Sequence, residues 1–141
     1  MFESTSRADL RRKYLEAWRK RSARSPLEPL EAHIAAVIEA HPEYVPVLEA
    51  GENALAAEFT PETGRENPFL HMGMHLAIRE QVGTDRPHGI ADIHARLVRS
   101  LGSEHAAEHA MMEALGETLW EAQRAGAAPD EKGYLARLRR V

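Results

Sequence analysis

The sequence predicts an all-α protein, a single-domain helical bundle of five or six helices spanning all 141 residues. Three observations predict it. Apolar residues recur at three- and four-residue spacing along most of the chain, and no stretch alternates as a half-buried strand would. Proline, glycine and small polar residues fall between the periodic segments, where helices start and stop. With 43% hydrophobic and 28% charged residues, a chain of this length can bury one core without covalent help.

The first helix is expected from about Arg7 to Ala23, with Ser6 and Asp9 as a capping-box-like start and Leu10, Tyr14 and Trp18 on one face. Ser25-Pro26 opens the second, whose buried stripe is Leu30, Ile34, Val37 and Ile38; Pro42 ends it. A short helix near Tyr44–Glu49 stops at Gly51, and residues 60–67 read as a loop. Asn67-Pro68 starts a third long helix, 68–82, that carries no Lys, Arg, Asp or Glu from Pro68 to Ile78 and is therefore expected to be buried. The fourth, about 89–101, turns Ile90, Ile93, Leu97 and Leu101 inward. Gly102 and Ser103 separate it from the fifth, about 104–125, which stops at Gly126. Pro129-Asp130 opens a last short helix carrying Tyr134, Leu135 and Leu138.

Charge is unevenly placed. Residues 1–24 have eight basic and three acidic side chains, a balance of +5, while residues 25–141 form an acidic body at −9. A basic amphipathic first helix can meet nucleic acid or an anionic surface, but no aromatic platform or recognised nucleic-acid motif accompanies it; the better reading is that it docks on the acidic body or that its Arg and Lys form a solvated face. There is no cysteine, which excludes disulfides, zinc-thiolate sites and thiol nucleophiles. No run approaches the roughly 18 apolar residues of a membrane span, and no apolar signal core follows the basic N-terminus, so a cytoplasmic protein is expected.

Two histidine pairs carry the chemistry: His71 and His75 in L-H-M-G-M-H, and His105 and His109 in E-H-A-A-E-H. Four residues apart on a helix, both rings of a pair project from one face and can donate to one ion. The short connections between the third, fourth and fifth helices favour antiparallel neighbours, which puts both pairs at a similar depth. On the fifth helix Glu113, Glu117, Glu121 and Arg124 cluster within about 80° of arc as the solvent face. Met111, Met112, Leu115 and Leu119 lie opposite, together with His105, His109 and Glu108. A carboxylate on a buried face needs a cation or donors, and a metal ion meets that need.

The expected metal site is therefore His71, His75, His105 and His109, with Glu108 as fifth ligand, base or second-layer acceptor. Glu104 could share in orienting an imidazole. Imidazole with carboxylate suits iron or zinc first, with manganese, nickel and copper as alternatives. The competing reading is a metal-free polar network in which Arg79, one turn after His75, neutralises Glu108. H-A-A-E-H also matches the inverted zinc-protease signature H-x-x-E-H, but that chemistry needs a larger domain. Met72, Met74, Met111 and Met112 flank the pairs and read as core filler. His33, His41, His88 and His94 have no partner at metal spacing and read as ordinary residues, His94 alone being a reserve ligand. No G-x-S-x-G and no phosphate-binding glycine loop is present.

The segment N-P-F-L-H-M-G-M-H-L-A-I-R-E-Q-V-G-T-D-R-P (67–87) resembles a bacterial family catalogued as domain of unknown function 1841. The similarity extends to residues 31–44, 104–117 and 127–140, nearly the whole chain, and includes both H-x3-H elements. The resemblance implies a small, cytoplasmic, helical bacterial protein, and it assigns no catalytic residue.

Two functions follow from these readings. The first is a metal-binding bundle whose ion serves redox, hydrolytic or metal-handling chemistry, with Glu108 as the candidate catalytic base. The second is a non-catalytic interaction module, its polar core free of metal, that meets a protein partner or a second copy of itself.

Overall fold

The computed structural model describes residues 7–57 and 67–141. It is all-α: eight α-helices and one 3₁₀ turn, with no strand among the described residues. In chain order they are α1 (Arg7–Ser22), α2 (Pro29–Glu39), the 3₁₀ turn (Pro42–Tyr44), α3 (Val45–Glu49), α4 (Glu52–Ala56), α5 (Pro68–Thr84), α6 (Ile90–Leu101), α7 (Glu104–Ala125) and α8 (Glu131–Arg139). Eight exceeds the expected five or six. The short helix expected near Tyr44–Glu49 is α3, and the element not expected is α4; each has five residues, too few to be stable by its own hydrogen bonds and dependent on tertiary contacts. The Ser6 cap and most of the 60–67 loop lie outside the described residues.

The chain divides into two compact units, residues 1–73 and 74–141, with the boundary inside α5. In the first unit α1 packs against α2, α3 and α4. Tyr14 and Ala17 of α1, Ile34, Val37 and Ile38 of α2, and Leu48 and Leu55 are buried. Tyr14 meets the Phe69 ring edge-on at 5.6 Å. Arg11, only 2% exposed, sends Nη1 to the carbonyls of Ala54 (3.0 Å) and Ala57 (2.6 Å) and lays its guanidinium 4.9 Å from the Phe69 ring centroid. A cation at the end of α4 satisfies carbonyls that so short a helix leaves without partners. The basic end of α1 docks on acidic α2, as expected from the charge pattern: Lys20 pairs with Glu31 at 2.8 Å and Arg21 pairs with Glu39.

The start of α2 is corrected from Ser25-Pro26 to Pro29. Two prolines compete for the first helical position, and Pro29 takes it because the Glu31 carboxylate accepts from the Glu28 amide at 2.9 Å. Leu30, expected in the buried stripe, is 54% exposed at the first turn; Leu10, Leu101 and Leu119 are also exposed. Leu30 and Leu101 sit at helix ends, where little chain remains to cover them.

The second unit has a continuous core of Ile78, Ile90, Ile93, Leu97, Ala107, Met111, Met112, Ala114, Leu115, Tyr134 and Leu138. The helix α7 packs on both α6 and α8. Its start follows from Gly102, whose φ of 92° ends α6, and from Ser103, whose hydroxyl accepts from the Ala106 amide at 3.0 Å. The expected solvent face of Glu113, Glu117, Glu121 and Arg124 is exposed. Among the described residues no helix is long and apolar enough to cross a membrane.

Candidate metal centre

Two caps set the register of the candidate ligands. Asn67 Oδ1 accepts from the amides of Phe69 (3.0 Å) and Leu70 (3.2 Å), which starts α5 where Pro68 already favours helical φ. From that start Phe69, Met72, His75 and Ile78 fall on the buried line of α5. The Ser103 cap likewise places His105 in the first turn of α7, with Glu108 and His109 one turn on. Three and four residues apart, all three share a face.

The structure brings His75, His105 and His109 together. Their ring centroids are 4.4 Å apart for His105–His109, 4.8 Å for His75–His109 and 5.1 Å for His75–His105. Each offers a ring nitrogen, and these lie within 4.8 Å of one another. Two nitrogens sharing a tetrahedral ion would stand about 3.3 Å apart, within reach of small side-chain rotations. Exposure grades across the group: His75 is fully buried, His105 half-buried and His109 exposed.

Glu108 is buried at 3% exposure and is fully engaged. Its Oε1 accepts from His75 Nδ1 at 2.7 Å, and Arg79 Nε donates to Oε2 at 3.0 Å and to Oε1 at 3.2 Å. Burial works to raise the carboxyl's pKa, but the His75 hydrogen bond and the Arg79 charge outweigh it and hold the group below the ordinary glutamate range. With Nδ1 turned to Glu108, the nitrogen of His75 that can meet an ion is Nε2. A carboxylate behind a ligating imidazole, fixing its tautomer and orientation, is the usual support of metal-bound histidine.

The fourth expected ligand, His71, sits one turn before His75 on α5, and within the first unit its ring contacts His41 at 5.0 Å and Tyr44 at 5.9 Å. The His41 ring stacks on Tyr44 at 5.3 Å, and its Nδ1 bonds the Val37 carbonyl at 2.8 Å. Sequence reasoning gave His41 no role, because it has no partner at helical spacing; its only signal was a histidine placed directly before a helix-ending proline. His94 is not among the converging imidazoles. Glu104 and His33 are exposed, and His88 bonds Asp85 on the surface at 2.8 Å. Met72, Met111 and Met112 are core, as expected.

The chain matches the family described as Domain of unknown function (DUF1841) over residues 6–140, and it belongs to that family. No curated protein and no solved structure matches it.

Proposed function

We propose that this member of the DUF1841 family binds a divalent metal ion through His75, His105 and His109. In this reading Glu108 stands beside the ion and orients His75. The observation that carries the proposal is the convergence of three imidazoles from two helices, with ring nitrogens within 4.8 Å. The donor set suits iron or zinc first, then manganese, nickel or copper.

Exposed His109 beside buried His75 leaves one side of the group towards solvent, which fits an ion with an open position better than a closed structural one. Such an ion, when bound, supplies Lewis-acid or redox chemistry to whatever occupies that position. Both Glu108 oxygens already accept hydrogen bonds, so an orienting role is favoured over that of general base.

One observation favours the second reading. The His75–Glu108–Arg79 network satisfies the buried carboxylate without any ion. In that case the protein is an interaction module with a polar core. The network does not, however, account for His105 and His109 gathering against His75. Calorimetric titration of metal-stripped protein with zinc decides between the two. The metal reading expects one ion per chain, lost in the His105→Leu, His109→Leu double variant, which leaves the His75–Glu108–Arg79 network in place. No binding of zinc, nor of iron, manganese, nickel or copper in the same titration, overturns the metal reading.

A further inference from the structure

The metal reading leaves Arg79 without a part, yet its placement is specific. It lies four residues after His75 on α5, so both side chains project from one face of that helix towards Glu108 on α7. Its Nε reaches both carboxylate oxygens, at 3.0 and 3.2 Å, while Oε1 also takes the 2.7 Å bond from His75 Nδ1. Glu108 and His75 are almost wholly buried, at 3% and 0% exposure, and Arg79 is 26% exposed. A carboxylate held at both oxygens cannot turn about its terminal torsion, which is otherwise broad and roughly two-fold. The plane of the carboxylate, and so the direction from which it accepts, is set by the arginine.

From this geometry we infer that Arg79 is a positioning residue: by fixing the Glu108 carboxylate it holds His75 as the Nδ1–H tautomer and presents Nε2 as the ligand atom. This rests on the metal reading for its purpose but not for its test. The relay has three members, Arg79 to Glu108 to His75, and only the last would touch an ion. Arginine suits the first place because its Nε–H is fixed in the plane of its own guanidinium, whereas a lysine ammonium offers a point charge on a flexible stem. Removing direct outer partners of ligating histidines typically weakens metal binding about 10- to 100-fold. Arg79 acts one bond further out, so about tenfold is expected.

The test is a nitrogen-15 NMR comparison of the His75 ring in metal-free wild type, Arg79→Met and Arg79→Lys, with zinc affinity measured on the same samples against a competing chelator. The expected result is a single Nδ1–H tautomer in the wild type and a mixture in Arg79→Met, with zinc binding about tenfold weaker. Arg79→Lys keeps the charge but loses the fixed Nε–H donor, and it moves the same way by less. It serves in place of Arg79→Met if that variant fails to fold. An Nδ1–H tautomer retained in both variants overturns the inference, whatever happens to stability. A wild type that takes up no zinc sinks the metal reading instead, and the tautomer comparison still decides this one.

Discussion

Glu108 is the residue on which the site turns, because it is buried, ionised and shared between a histidine and an arginine. Glu108→Ala leaves the His75 Nδ1–H and the Arg79 guanidinium without their acceptor, so it should lower the stability of metal-free protein by about 3 kcal/mol in urea unfolding. A loss below about 1 kcal/mol would show that the pair is effectively solvated. Tyr134 gives a cleaner pH signature. Burial pushes its phenol up to about 12, and its hydroxyl donates to Gln81 Oε1 at 2.7 Å. A folded pKa raised above the unfolded value of about 10 gives stability that is complete below pH 10 and lost as pH rises towards 12. Urea midpoints between pH 9 and 11.5 should therefore fall less steeply in Tyr134→Phe; Tyr14, pushed up to about 12 in the same way, keeps part of the slope. At this scale much was legible in the sequence. The i, i+4 spacing singled out His75, His105 and His109, and the helical wheel of α7 put Glu108 on the inner face. His41 was not legible, since its contacts with His71 and Tyr44 join segments far apart in the chain.

Among the elements, α7 and α8 are the ones whose ends the local chemistry specifies most fully. Ser103→Ala should cost about 1 kcal/mol by removing the acceptor for the Ala106 amide, and should loosen the turn that holds His105. In α8, Asp130 Oδ1 accepts from the Gly133 amide at 3.1 Å, and a Cβ at Gly133 would run into the Asp130 carboxylate. Gly133→Ala is thus expected to lower the melting temperature, although alanine is the better helix former by about 1 kcal/mol. A rise in melting temperature would mean that the cap gives way. Caps and periodicity together made α5, α6, α7 and α8 readable to within one or two residues. The start of α2 was less so, because Pro26 and Pro29 carry the same signal and the Glu31 carboxylate chooses between them. The helix α4 was invisible for a related reason: it is held from outside by Arg11, and nothing within its five residues announces that partner.

At the scale of the molecule, the all-α class followed from periodicity, and the number of helices did not, since the short ones owe their stability to packing. The basic end of α1 pairs with α2 through a half-buried Lys20–Glu31 pair and an exposed Arg21–Glu39 pair, which near the surface contribute little. An ion bound only by the folded chain would stabilise it by mass action, by about 2.7 kcal/mol at a hundredfold excess over Kd. For a chain of this size that is a rise of roughly 8 °C in melting temperature, expected in the wild type and absent from the His105→Leu, His109→Leu variant. The most direct measurement is the metal content, by plasma mass spectrometry, of protein purified without a histidine tag. Close to one iron, zinc or related divalent ion per chain is expected, lost in His75→Ala and in His105→Ala and reduced in Glu108→Gln. Protein that carries no metal, and retains none after incubation with iron, zinc, manganese, nickel or copper, would contradict the metal reading.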